Sequence, residues 1–308
     1  MKAMILAAGL GTRLRPLTHT RPKALVEING RTLLEITLTR LRAFGVNEVI
    51  INVHHFADMV VDYLKSQDNL GMRIEISRED DLLLDTGGGL KKAAWFFRGD
   101  FRQAACSRLS EDKSKDVIPS EARNPGKALS QSHNDPRTDY SGNPDEPFLL
   151  HNVDVISTID LHRMLQFHNK HGALATLAVQ SRESSRLLLF NDQLQLVGRH
   201  AAGQTTVIPN EVRDAGKASA QSTSDPEPAA PFLNSPLPLA FSGIHVISPR
   251  LLPMLTEDGV FSIIDAYLRL AAQGEKILAF RADEYYWRDL GRQSDLSQAA
   301  LDLQQQTL

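Results

Sequence analysis

Two glycines and two cations near the start of the chain could together bind a polyphosphate. Gly9 and Gly11 follow an apolar run that ends at Ala8, and Arg13 and Lys23 come next. Glycines let backbone N–H groups approach phosphate oxygens closely, and cations offset the phosphate charge. An ordinary strand–turn–helix with surface cations would carry the same residues, so at this point both interpretations stay open.

The loop departs from two familiar phosphate-binding motifs. The dinucleotide-binding fingerprint requires a third glycine, and Arg13 stands near that place. The P-loop requires Gly-Lys-Ser/Thr, whereas this chain reads Gly11-Thr12-Arg13. The missing third glycine also counts against a nicotinamide-dependent dehydrogenase.

Two aspartates are placed to hold a divalent metal ion. Asp154 comes just after the apolar run Phe148–Asn152, and Asp289 lies in the run Trp-Arg-Asp-Leu-Gly. Magnesium that accompanies phosphates is usually held by one or two carboxylates. Either aspartate could instead cap a helix or form a turn.

A second glycine cluster, Asp-Thr-Gly-Gly-Gly, begins at Asp85. It opens a predicted helix, whose N-terminus would favour an anion. Its glycines would allow a planar base to approach the backbone closely. The alternative is a flexible turn that caps the helix.

Short apolar runs alternate with helical patterns along much of the chain. This alternation predicts an α/β domain with a mostly parallel, doubly wound sheet, and a ligand beyond the carboxyl ends of its strands. The predicted strands are Met4–Ala8, Val49–Val53, Ile74–Ser77, Phe148–Asn152, Ala173–Val179 and Ile277–Arg281. The predicted helices are Leu33–Phe44, Phe56–Ser66, Ser262–Gln273 and Gln293–Gln306.

Two stretches, 102–146 and 203–236, break this pattern because they are rich in polar residues, alanine and proline. They also repeat each other, since Val117–Arg123 parallels Val207–Arg213 at a constant offset, while the flanking sequences differ. We interpret them as disordered insertions of one low-complexity element into surface loops of a single domain that spans residues 1–308. A pair of partner-binding arms is the functional alternative.

Composition excludes several classes of protein. The 308 residues carry a formal net charge of −3 and are 42% hydrophobic, which predicts a globular enzyme and gives no support for nucleic-acid binding. No apolar stretch approaches the length of a membrane span, and the N-terminus does not look like a signal peptide. Cys106 is the only cysteine, so we expect no disulfide framework, an inert thiol and a cytoplasmic location.

The N-terminal residues extend into a longer signature. Within the first 23 residues, Gly-Leu-Gly-Thr-Arg, Pro-Leu-Thr and Pro-Lys follow one another. This string resembles G-x-G-T-R-x-x-P-L-T-x-x-x-P-K, the signature of the sugar-1-phosphate nucleotidyltransferases. The Asp-Thr-Gly-Gly-Gly and Trp-x-Asp-x-Gly runs resemble further motifs of that family. Val153, before Asp154, stands where the family usually has glycine. The resemblance implies a nucleotide-diphospho-sugar transferase-like fold.

The resemblance implies that a sugar-1-phosphate oxygen attacks the α-phosphorus of a nucleoside triphosphate and that pyrophosphate leaves. It assigns catalysis to Arg13, Lys23, Asp154 and Asp289, and Mg²⁺ to the two aspartates. The binding residues that it implies are Ala8, Gly9, Gly11, Thr12, Arg13, Lys23, Thr86, Gly87 and Asn152 for the nucleotide, and Ser242 and Gly243 for the sugar.

Within this family the motifs most resemble the bacterial N-acetylmuramate-1-phosphate uridylyltransferases of cell-wall recycling. Mannose-1-phosphate and heptose-phosphate guanylyltransferases share much the same motifs, so the expected nucleotide is UTP or GTP. A regulatory protein that binds a nucleotide-sugar without turnover is the rival from another class. We expect a monomer or a small homo-oligomer.

Overall fold

The structure is a computed structural model that describes residues 1–98, 145–201, 203–208 and 235–304. Cys106 and most of the two predicted insertions lie outside the described residues, so those interpretations stay predictions. In the part that is described, no helix is both long and apolar enough to cross a membrane.

The strands are β1 (Lys2–Leu6), β2 (Glu27–Ile28), β3 (Arg31–Thr32), β4 (Glu48–Val53), β5 (Arg73–Arg78), β6 (Phe148–Asn152), β7 (Val155–Ser157), β8 (Ala175–Gln180), β9 (Arg186–Phe190), β10 (Leu196–Ala201), β11 (Gln204–Val207), β12 (Leu237–Ile247), β13 (Ile277–Arg281) and β14 (Trp287–Asp289). The α-helices of the described residues are α1 (Leu33–Ala43), α2 (Ala57–Ser66), α3 (Asp85–Lys92), α4 (Ala94–Arg98), α5 (Leu161–His171), α6 (Ile263–Ala272) and α7 (Gln293–Gln304).

One half of the main sheet is parallel, as the sequence predicts. Strand β1 pairs in parallel with β4 on one side and with β6 on the other, and β4 pairs in parallel with β5. Ala3 and Ile5 pack into one hydrophobic cluster and Met4 into the other. Because successive side chains of a strand point to opposite faces, the sheet is covered on both sides. The predicted doubly wound α/β fold is confirmed.

The other half of the sheet is built around the long strand β12. Its last residues pair antiparallel with β6 and β8, and its first residues pair antiparallel with β9, while β13 runs parallel to β8. The sequence pattern did not indicate β9, β10 or β11. Short apolar runs next to polar, low-complexity segments carry little periodicity, so pattern alone does not separate them from loops.

The second predicted insertion, 203–236, includes residues at its start that belong to the folded sheet. Residues 204–207 form β11, which pairs antiparallel with β10, and Ile208 is 7% exposed. Ile208 also donates its backbone N–H to the Val197 carbonyl oxygen at 2.7 Å. These contacts make residues 203–208 part of the folded sheet, so an insertion at this place would have to start after Ile208.

A separate two-stranded ribbon brings distant residues of the chain together. Strand β14 pairs antiparallel with β7, and this pairing aligns Asp289 with Val155. The Leu290 backbone N–H then donates to the Asp154 carbonyl oxygen at 2.8 Å. The ribbon therefore brings both candidate metal-binding aspartates to the same edge of the fold.

Candidate active site

A cavity of about 540 Å³ lies at the carboxyl ends of β1, β4 and β6. This is the edge at which the parallel sheet predicts a ligand. The predicted site residues that line it are Ala8, Gly9, Gly11, Thr12, Arg13, Lys23, Thr86, Asn152 and Asp154.

The loop after β1 needs glycine at Gly11 for two reasons. Its φ of +60° lies in the left-handed region, which favours glycine. A Cβ there would also stand 2.9 Å from Cγ2 of Thr18, whose hydroxyl donates to the Gly11 carbonyl oxygen at 2.8 Å. Gly9, by contrast, has no atom within 4 Å of an ideal Cβ. The loop is thus packed against Thr18 at Gly11, whereas the space beside Gly9 is free of protein atoms.

Lys23 is almost fully buried and forms an ion pair with Asp154. Its backbone belongs to a short 3₁₀ turn, Lys23–Leu25, which is anchored by the buried side chains of Ala24 and Leu25. A lysine held in this way loses little freedom when it meets a phosphate. Its ammonium group lies beside the carboxylate on one wall of the cavity.

Asp289 completes a cluster of charges. Burial raises the pKa of its carboxyl group, and the nearby charge of Asp154 raises it further. The positive charges of Lys23 and Arg13 act in the opposite direction. Two carboxylates that share a confined space are destabilised together unless a cation lies between or beside them.

Gly291 is a site residue that the sequence analysis missed. A Cβ at this position would stand 2.6 Å from Oδ1 of Asp289 and 2.7 Å from Nη2 of Arg13. Because Gly291 lines the cavity, its lack of a side chain allows this aspartate and this arginine to converge there. The final glycine of the Trp-x-Asp-x-Gly run was the available signal.

The glycines of the second cluster pack against protein atoms. A Cβ on Gly87 would lie 2.3 Å from the Phe261 ring, and one on Gly88 would lie 2.4 Å from the Gly259 carbonyl oxygen. Gly87 is buried and is absent from the cavity wall, whereas Thr86 lines it. The Thr86 hydroxyl also accepts a hydrogen bond from the Ile263 N–H at the start of α6, at 3.0 Å.

A buried carboxylate, which the sequence pattern did not reveal, connects the end of β4 with the loops that follow β1 and β5. Glu79 is 1% exposed and accepts hydrogen bonds from Nδ2 of Asn52 at 2.7 Å and from the Leu84 N–H at 2.9 Å. Oδ1 of Asn52 in turn accepts from the Ala7 N–H at 2.7 Å. This chain of contacts fixes the start of the glycine loop relative to the segment before α3.

Neither of the two predicted sugar-binding residues, Ser242 and Gly243, lines this cavity, and Gly243 lies beside Asn152. Gly243 has a φ of +74°, and a Cβ there would stand 3.0 Å from Nδ2 of Asn152. Ser242 is fully buried, and its hydroxyl has no hydrogen-bond partner among the described residues. Its carbonyl oxygen accepts from Nε1 of Trp287 at 2.7 Å.

Comparison with known proteins confirms the resemblance that the motifs predict. Residues 2–116 match the family described as Nucleotidyl transferase. The chain is 53% identical over 93 residues to the N-acetylmuramate alpha-1-phosphate uridylyltransferase of Caulobacter vibrioides, an alignment that covers 30% of this chain and 38% of that protein. It is 28% identical over 216 residues to the probable mannose-1-phosphate guanylyltransferase 1 of Oryza sativa subsp. japonica, covering 69% of this chain and 48% of the other. These alignments span less than half the length of each relative.

Solved structures support the fold. HddC from Yersinia pseudotuberculosis, complexed with GMP-PN, has a TM-score of 0.61 at 17% identity, covering 98% of this chain and 99% of its own. An apo UDP-glucose pyrophosphorylase has a TM-score of 0.62 at 16% identity and full coverage of both chains, 100% and 100%. At such identities the likeness establishes the shared α/β architecture.

Proposed function

We propose that this chain is a sugar-1-phosphate nucleotidyltransferase, which joins a nucleoside triphosphate and a sugar-1-phosphate and releases pyrophosphate. The observation that carries the proposal is that Lys23, Asp154, Arg13 and the glycine loop line one cavity. Asp289 is not among the lining residues, but its carboxylate comes close to Arg13 at Gly291, which lines the cavity. Two anionic substrates must meet in this reaction, so the site requires cations more than it requires a general base.

The proposed step is an in-line displacement. A sugar-phosphate oxygen, which is ionised at neutral pH, attacks the α-phosphorus, and the bond from that phosphorus to the pyrophosphate oxygen breaks. Backbone N–H groups of Gly9, Gly11 and Thr12 would bind the triphosphate. Arg13 would neutralise the departing pyrophosphate, and Lys23 would bridge the α-phosphate and the sugar phosphate as charge develops.

The residues present fit a magnesium ion. Asp154 and Asp289 are close enough for the charge of one to raise the pKa of the other. In the described ranges no three His, Cys, Asp or Glu side chains cluster as a metal cage. Two carboxylates, with substrate phosphates as the remaining ligands, are a usual arrangement for Mg²⁺. When bound there, the ion would offset the phosphate charge as the α-phosphorus reacts.

UTP and N-acetylmuramate 1-phosphate are the substrates that we propose first, because the 53% identical stretch belongs to an enzyme named for that reaction. GTP with mannose 1-phosphate is the second candidate, since the guanylyltransferase alignment extends over 69% of this chain. A heptose phosphate with GTP is a variant of the second candidate. We place the reaction in the cytoplasm, with a monomer or a small homo-oligomer as the working unit.

The test is pyrophosphate release by the full chain with Mg²⁺. Each of UTP, GTP, CTP, dTTP and ATP is combined with the 1-phosphates of N-acetylmuramate, mannose, glucose and heptose. We expect release with UTP and N-acetylmuramate 1-phosphate, and its loss in Asp154→Asn. Silence on every pair, from folded protein that still binds a triphosphate, would favour a non-catalytic nucleotide-sugar-binding protein instead.

A further inference from the structure

Arg182 lies two residues beyond the end of β8, in the connection to β9, outside every sequence motif considered for the site. Its Cζ stands 3.7 Å from the centroid of the Trp287 ring. Its Nη2 donates to the Phe241 carbonyl oxygen at 2.7 Å, and its Nε is buried without a hydrogen-bond partner in the described part of the chain. The guanidinium group is therefore used to hold a ring and a backbone carbonyl.

Trp287 is fixed from a second direction as well. Its Nε1–H donates to the Ser242 carbonyl oxygen at 2.7 Å, which ties β14 to β12. Gln180, at the end of β8, donates through Nε2 to the carbonyl oxygens of Ala282 at 2.8 Å and Tyr285 at 2.9 Å. The end of β8 thus holds both Trp287 and the segment that leads into it.

These contacts matter because β14 has little backbone support of its own. It is three residues long and pairs only with β7 in a separate two-stranded sheet. A two-stranded ribbon is marginally stable by itself. Asp289 is the last residue of β14 and shares a face of the strand with Trp287, since side chains alternate with a period of two.

The positive charge of Arg182 also lies near Asp289. Burial lowers the pKa of the guanidinium group, and the negative charge of Asp289 opposes that shift. Arg182 thus supplies a flat stacking surface for Trp287, and its charge lies near the aspartate two residues further along.

We propose that Arg182 is a positioning residue, which holds Trp287 and through it sets the place of the Asp289 carboxylate; this inference rests on the proposed function. Arg182 itself need not contact a substrate, because its planar face and one of its donors are already engaged. A displacement of a reacting group by about 1 Å costs roughly 100-fold in rate. Loss of the guanidinium stack should therefore reduce turnover much more than it reduces stability.

The experiment compares Arg182→Gln and Arg182→Lys in the full chain. Trp95→Phe serves as the background, since Trp95 and Trp287 are the two tryptophans, and the fluorescence then reports on Trp287 alone. Turnover, the KM for sugar-1-phosphate and the Mg²⁺ concentration for half-maximal rate are measured alongside Trp287 emission and the melting temperature.

Arg288→Gln is the matched control. Arg288 lies on β14, next to Trp287, and its Cζ is 5.8 Å from the Tyr286 centroid, but it pairs with Asp302. This variant removes one arginine charge from β14 itself without touching the guanidinium stack on Trp287.

We expect Arg182→Gln to shift Trp287 emission, to lower turnover by about 100-fold and to raise the half-maximal Mg²⁺ concentration. Arg182→Lys should restore part of the rate, because it keeps the charge but not the planar stack, and Arg288→Gln should match the parent. Wild-type turnover and Mg²⁺ dependence in Arg182→Gln would overturn the positioning role.

If Arg182→Gln does not fold, the turnover of Arg182→Lys alone tests the positioning role. A rate at least tenfold below the parent supports positioning, and a parental rate overturns it. A parent that is silent on every substrate pair contradicts the proposed function. The emission of Trp287 still tests the stack in that case, because identical spectra in the parent and in Arg182→Gln would overturn it separately.

Discussion

The two glycine clusters of this chain use their missing side chains in different ways. At Gly9 an ideal Cβ meets no atom within 4 Å, so the space beside it opens to the cavity that Gly9 lines. At Gly87 the same position lies 2.3 Å from the Phe261 ring. The first cluster leaves room for a ligand, whereas the second leaves room for the protein itself. A glycine-rich sequence thus indicates that another group comes close to the backbone. It does not show whether that group belongs to a ligand or to the protein.

The largest expected effect is the loss of turnover when a charged residue that faces the cavity is replaced. Lys23→Ala and Asp154→Asn should each keep the fold and lower turnover by about 10²–10³-fold, the scale of losing one preorganised charge at a transition state. Pyrophosphate release measures the rate, and circular dichroism measures folding. Lys91→Ala is a matched control, because Lys91 forms an exposed pair with Asp258. Rates near wild type in either site variant would mean that the catalytic site lies elsewhere.

A pH titration should lower stability through buried histidines, of which His151 on β6 and His245 on β12 are two. Burial lowers the pKa of His151 and of His245 to about 3, and the charge of Arg40 acts in the same direction on His151. The unfolded chain takes up protons near pH 6.5, whereas the folded chain does not until about pH 3. Folding is therefore most favoured above pH 6.5, and each histidine removes about 1.4 kcal/mol per pH unit below that value.

Urea unfolding at pH 7, 6 and 5 measures this loss of stability. His151→Gln should reduce its slope with pH, because one of the buried imidazoles is then gone. An unchanged slope would show that other groups govern the acid sensitivity.

Gly87→Ala tests the packing side of the comparison. The added methyl group meets the Phe261 ring at 2.3 Å and the Phe261 carbonyl oxygen at 2.9 Å, so we expect a loss of about 1–3 kcal/mol of unfolding free energy from overpacking. Thermal or urea unfolding gives the value. Gly87→Ala in a Phe261→Ala background should recover part of it. Full stability with reduced nucleotide affinity would instead favour the close approach of a base that the sequence predicted.

The smallest expected effect is that of Gly9→Ala, which tests the glycine cluster that faces the cavity. Its methyl group enters open space, so the melting temperature should stay unchanged. The KM for the triphosphate should rise by roughly tenfold, about 1.4 kcal/mol, because the methyl group occupies volume that phosphate oxygens would use. A variant that loses stability but binds the triphosphate normally would contradict a ligand-facing role for this glycine.

Much of the parallel half of the fold followed from sequence. Phe148–Asn152 and Ile277–Arg281 are strands with the predicted bounds, since strands buried on both faces appear as continuous apolar runs. Strand β1 ends at Leu6, two residues before the predicted end. The Ala7 N–H leaves the strand pairing and donates to Oδ1 of Asn52 instead, a contact between residues 45 positions apart that no local pattern reveals.

The sequence alone determined the residue types at the site: a glycine loop, the cations Arg13 and Lys23, and the acids Asp154 and Asp289, whose catalytic roles stay predictions. Only the tertiary structure decided that Lys23 pairs with Asp154, that Arg13 and Asp289 meet at Gly291, and that Arg182 stacks on Trp287. Periodicity and motifs report on neighbours within a turn or a strand. Contacts across more than a hundred residues depend on sheet pairing and side-chain packing, which exist only once the chain has folded.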